Sequence, residues 1–314
     1  MSLVGVAVLG AIREGGSIVL GGLFLLIALF ALRGIVVELR IVQAAPGIES
    51  IERTELFWTA GAIMLGGFVT FVLVVEGQLT PVVAASLTGL SAVVVRRQLA
   101  VPAYCGAFVG MTSPTLFPTY WQGLVAAVLA VAVFLLANPV FHGVGGKLGT
   151  TAFVGAALTV LGTQTWFLSD PLPAASTAGL VVLCSVVAAV ATFVLHDRSS
   201  FEPVSASGTV GILGGLALPW LFPAVGELLA AAVYGASFAG MSDSTRIPDE
   251  RWMALAGFAV GLILVYSAPY LGGSGGKLGT IAFVSCLAVY GLLESLHRVL
   301  TKTQIERLSR RDIS

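Results

Sequence analysis

Apolar runs along this chain are separated by short breaks of proline, glycine or charge. Windows bounded in that way fall at about residues 17–32, 57–75, 80–95, 100–113, 121–141, 146–164, 176–195, 206–222, 227–241, 252–270 and 276–296. Several approach the length that crosses a bilayer as a helix. Hydrocarbon offers no partner to unpaired backbone groups, so helices are predicted throughout. The expectation is an all-α integral membrane protein of about eleven transmembrane helices. Composition agrees: 57% of residues are hydrophobic, 10% are charged, and mean hydropathy is +0.99. The predicted partner is the lipid bilayer and not nucleic acid, because the formal net charge of zero matters less than where the charges fall.

Basic residues test the count of crossings. With eleven spans and a cytoplasmic C-terminus, all sixteen Lys and Arg except Arg13 and Lys277 fall on the inner side, with Lys147 at the inner mouth. The positive-inside rule therefore predicts a multi-pass protein of the cell membrane with its N-terminus outside. Arg13 ahead of the Ile18–Leu32 run imitates a secretion signal. No small-residue cleavage pattern follows, and the run is read as a retained helix. Residues 1–56 are then a first helix and a charged cytoplasmic linker from Arg33 to Leu56, and residues 297–314 a basic cytoplasmic tail suited to an anionic leaflet.

An internal repeat organises the rest. Residues 145–154 read GGKLGTTAFV and residues 275–284 read GGKLGTIAFV. Thr70-Phe71-Val72-Leu73 recurs as Thr192-Phe193-Val194-Leu195, Pro81-Val82 as Pro203-Val204, and Tyr104, Phe108, Gly110 and Met111 as Tyr234, Phe238, Gly240 and Met241. The change in separation places an insertion near Leu218 to Val225 in the second copy. Residues 57–165 and 166–296 are thus two five-helix repeats. An odd number of crossings inverts the second copy relative to the first, leaving the N-terminal helix peripheral.

Two paired features are candidate solute-binding elements. Helices four and nine are short and end in FVGMTSP and FAGMSDS, so Phe108, Gly110, Thr112, Ser113, Phe238, Gly240, Ser242 and Asp243 are candidates. Tight helix packing through small residues would explain the glycines as well. In the GGKLGT stretches, glycines before a helix start converge backbone N–H groups beside a lysine. Gly145, Gly146, Lys147, Thr150, Gly275, Gly276, Lys277 and Thr280 are therefore expected to attract anions, with Lys147 toward the inside and Lys277 toward the outside. Interfacial snorkelling of the lysines is the plainer alternative. Asp243 is placed where it could meet Lys147, although Arg246, Asp249, Glu250 and Arg251 make an ordinary solvated loop the simpler explanation.

Other chemistry has weak support. Leu148 and Leu278 stand where a phosphate-binding loop needs Ser or Thr. His142, His196 and His297 have no metal-ligand spacing, Cys105, Cys184 and Cys286 are unpaired in apolar segments, and no catalytic elbow or acidic cluster is visible. No metal, cofactor or enzymatic activity is expected.

The architecture of two inverted five-helix units resembles urea channels, ammonium transporters and some sodium-coupled carriers. Mid-membrane histidines are missing, which limits the likeness to ammonium transporters. This resemblance implies a channel or secondary transporter for a small polar or anionic solute or ion, with its site at the repeat interface. An intramembrane enzyme acting on a lipid or isoprenoid phosphate is the alternative. So is a non-catalytic subunit of a membrane complex, and a homo-oligomer fits either.

Overall fold

A computed structural model describes residues 5, 18–44, 52–199 and 201–311. Arg13 and most of the interhelical linker, including Glu49, lie outside these residues. The described residues are overwhelmingly helical. They form α1 (Ile18–Ala44), α2 (Arg53–Val75), α3 (Pro81–Arg96), α4 (Ala100–Gly110), α5 (Tyr120–Ala137) and α6 (Lys147–Gly162). These are followed by α7 (Ala175–Asp197), α8 (Pro203–Leu221), α9 (Gly226–Gly240), α10 (Glu250–Tyr266) and α11 (Lys277–Arg311).

Among the described residues, seven helical stretches are long and apolar enough to cross a membrane. The four shortest helices are α4, α9, α6 and α3, at 11, 15, 16 and 16 residues. At 1.5 Å per residue, α4 alone reaches only about 16 Å. It follows α3 through a single 3-10 turn, Arg97–Leu99, and the pair forms one of the seven stretches.

Local chemistry sets the helix starts. Pro81 and Pro203 occupy first turns, where a missing N–H costs nothing. Thr80 and Asp249 accept N–H groups at the starts of α3 and α10.

Packing suits a lipid surround. Small residues fill much of the interior, such as Ala84, Ala85, Ala126, Ala130, Ala188 and Ala189, while Val94, Leu136, Leu161, Leu183, Leu213 and Trp220 face outward. Small residues let helix backbones approach closely, and large apolar side chains on the outside match a lipid environment. The arrangement is consistent with a multi-pass membrane protein.

Contacts sort the helix ends into two groups. At one end, Tyr120 donates to Glu76, the Ser113 N–H donates to the Gly273 carbonyl, and Leu168 bridges Gly272. At the other, Arg97 pairs with Glu202, Arg198 with Glu250, and the Asp243 N–H donates to the Gly143 carbonyl. Successive helices from α2 to α11 therefore run in alternating directions.

The centre is the crossing of α6 and α11. A Cβ added at Gly146 would lie 2.4 Å from the Gly279 carbonyl oxygen and from the Phe283 nitrogen. One at Gly276 would lie 2.2 Å from the Gly149 carbonyl oxygen and 2.5 Å from the Phe153 nitrogen. Residue numbers rise on one helix as they fall on the other, so the first two turns pack antiparallel. Gly146 and Gly276 share φ +82, a conformation open to glycine and strained for other residues.

α1 packs along α11 in the same direction, with Gly34 against Leu287 and Gly291 against Phe30, and with Glu38 paired to the Arg246 that lies over Tyr290. The expected linker from Arg33 is corrected here: α1 continues to Ala44, and Glu38 is buried within it. The apolar window ends at Leu32, but contact with α11 and the Glu38 ion pair carry the helix further. At the other terminus, α11 continues to Arg311 through the segment expected to be a separate tail.

Candidate functional site

The two pairs of sequence features lock into one another across the repeat. The Gly275 N–H donates to Thr112 Oγ1 at 3.0 Å, and the matched Gly145 N–H donates to Ser242 Oγ at 3.0 Å. Each glycine bend is thus seated on the short-helix end of the other copy. The same reciprocity holds one residue later, where Ser113 and Asp243 donate their backbone N–H groups to Gly273 and Gly143. Gly110 lies against the Gly67 carbonyl and Thr70, and Gly240 against the Ala189 carbonyl and Thr192, where a Cβ would intrude to 2.4 and 2.5 Å. Those two glycines serve close helix packing.

Both lysines are tied to backbone carbonyls. Lys147 Nζ donates to the Val140 carbonyl at 2.7 Å and to Asn138 at 3.4 Å. Lys277 Nζ donates to Tyr270 at 2.6 Å and Ser267 at 2.8 Å. Each ammonium therefore caps carbonyls just after α5 or α10, where the helix dipole is negative. Thr150 and Thr280 return their hydroxyls to the Gly146 and Gly276 carbonyls. Lys147→Met and Lys277→Met are expected to cost about 1–3 kcal/mol each, because the carbonyls lose a charged donor. A lower apparent melting temperature in detergent, without added anion, would register this. Unchanged melting would contradict the capping role.

Above this crossing lies a cavity of about 730 Å³. Its walls come from both repeats: the start of α3, the end of α4, residues 170–174, the facing ends of α8 and α9, and the bend 272–278. The second copy's insertion builds one wall, through Pro219, Pro223, Ala224 and Val225. At the matched place in the first copy the chain passes directly from α3 into α4 through the 3-10 turn.

Phe108 and Phe238 line the cavity and touch each other with ring centroids 4.6 Å apart. Tyr104 and Tyr234 complete the aromatic cluster, at 4.5 Å from Phe108 and Phe238 respectively. Beyond them, Tyr104 Oη bonds Ser207 Oγ at 3.0 Å, and Ser207 bonds Ser237 at 2.8 Å. The aromatic rings thus separate the cavity from a small buried hydroxyl network.

At the opposite end the first bend is sealed. Glu38 accepts the Phe141 N–H at 2.7 Å and Arg246 Nη1 at 2.8 Å, and Arg246 Nε donates to the His142 carbonyl at 2.8 Å. Glu38 is 2% exposed. Asp243 does not meet Lys147. Its carboxylate accepts the Thr245 N–H at 2.8 Å, which holds it below its ordinary pKa. The loop turns its carboxylate back on its own backbone.

Three structural features are not evident in the sequence. Glu38 was hidden in an apparent linker. Ser274 lines the cavity where the first copy has Val144, a difference visible in the GVGGKLG and GSGGKLG strings. Tyr104 and Tyr234 were visible as matched positions, but their convergence depends on the antiparallel packing. Among the described residues, no group of three or more His, Cys, Asp or Glu is placed to hold a metal ion. The chain matches no protein-family model, no curated protein and no solved structure.

Proposed function

We propose that this protein is a membrane transporter or channel for a small polar or anionic solute, built from two inverted five-helix repeats with α1 outside them. Eleven crossings, an external N-terminus and a cytoplasmic C-terminus complete the reading. The observation that carries it is the cavity between the repeats, which ends on the Phe108 and Phe238 rings. Reciprocal seating of the glycine bends supports an inverted pair, because one contact scheme is built twice with the roles of the copies exchanged. On this reading the cavity faces outward and the Glu38–Arg246 pair closes the inner side.

The test is solute permeation into proteoliposomes, followed by light scattering across a panel of small neutral, anionic and zwitterionic solutes. At least one solute is expected to enter faster than into protein-free vesicles. Ala231→Cys places a thiol on the cavity wall, and an external bulky thiol reagent is expected to abolish that flux in a background without native cysteines. Equal permeation with and without protein across the panel would overturn the proposal.

A further inference from the structure

The two bends have matched backbones but different chemistry. Phe141, Gly143 and Gly146 have φ of 58, 71 and 82, and Leu271, Gly273 and Gly276 have 55, 74 and 82. Position 144 in the first bend is valine, 6% exposed, and position 274 in the second is serine, 7% exposed. The bend therefore forms without a hydroxyl at this position.

Ser274 Oγ is buried with no hydrogen-bond partner, and Ser274 lines the cavity. An unpaired buried hydroxyl costs free energy unless something fills its valence. Three residues later α11 begins, at Lys277. First-turn N–H groups lack intrahelical acceptors and the helix dipole adds positive potential, so this end of the cavity suits an anionic group. The Lys277 ammonium adds positive charge while remaining bound to its two carbonyls.

The remaining charges in the cavity lining have the opposite sign. Asp170 and Glu227 line it, both exposed. A simple anion would meet these carboxylates, and a simple cation would meet Lys277 and the α11 amino end. The walls also include Phe108, Phe238, Leu228 and Leu264, which suit an apolar side group.

We infer that the cavity binds a small zwitterion with an apolar side group, its carboxylate at Ser274 and the α11 amino terminus and its ammonium toward Asp170 and Glu227. This rests on the transport reading only in treating the cavity as part of a solute path.

The experiment is equilibrium binding to the purified full chain in detergent. Probes are radiolabelled L-leucine, its carboxylate-only analogue 4-methylpentanoate and its ammonium-only analogue 3-methylbutylamine. Leucine is expected to bind at least about tenfold more tightly than either analogue, since each lacks one charge-assisted contact. Ser274→Val, which reproduces the residue of the other bend, is expected to weaken leucine binding about tenfold, and Ser274→Thr to retain it. Asp170→Asn with Glu227→Gln is expected to remove the preference over 4-methylpentanoate.

Equal binding of leucine and 4-methylpentanoate would overturn the zwitterion assignment, as would absence of leucine binding or an unaffected Ser274→Val protein. Proteoliposome permeation separates the two proposals. Flux of another solute without leucine binding removes only the solute class, whereas leucine binding without any flux removes only transport.

Discussion

Gly279→Val is expected to eliminate the folded protein. A Cβ at this position would lie 2.5 Å from the Gly149 Cα and 3.1 Å from its nitrogen, and backbone atoms cannot turn aside as a flexible side chain can. The first turns of α6 and α11 would have to separate, breaking the seating of both glycine bends on Thr112 and Ser242. Overpacking in a tight interior typically costs about 1–3 kcal/mol, and a clash between two backbones exceeds that range. The expected result is loss of the monodisperse size-exclusion peak, with Gly149→Val behaving alike. Gly123→Ala is the control, because nothing lies within 4 Å of a Cβ there and alanine favours the helix. A folded Gly279→Val protein would contradict the antiparallel crossing.

Glu38→Ala should be the most damaging change outside the repeats. Arg246 has two other partners, the His142 carbonyl and the Tyr290 ring, but its charge is balanced by Glu38. Breaking a buried ion pair from one side typically costs about 3–5 kcal/mol, because the remaining charge stays desolvated. The Phe141 N–H also loses its acceptor. A clear fall in apparent melting temperature is expected, and Glu38→Ala with Arg246→Leu should be less damaged than the single variant. Equal melting of wild type and Glu38→Ala would show that α1 does not secure the bend.

The helical segments and the matched bends were legible because each depends on local pattern. Apolar windows between Pro, Gly and charge mark most helices, and GGKLGT marks both crossing points through one string. The roles of the polar residues within those strings were harder to see. Lys147 and Lys277 look free in sequence, whereas their ammonium groups meet carbonyls seven residues earlier in the chain. Thr112 and Ser242 look like ligands for a solute, and they hold the backbone of the opposite copy. Such pairings depend on which copy faces which. Glu38 was missed for another reason: hydrophobicity ends the first window at Leu32, while burial against α11 and pairing with Arg246 extend the helix.

The most direct test of the central claim is the side from which the loops after corresponding helices react. Gln78 follows α2, and Ser199 follows the corresponding helix α7. Single cysteines at these positions, in a background without Cys105, Cys184 and Cys286, would be treated in intact cells with a membrane-impermeant thiol reagent. Cysteine at 78 should label in intact cells, and cysteine at 199 only after the membrane is opened. Labelling of both from the same side would mean that the copies share one orientation, and the inverted-repeat account would be wrong.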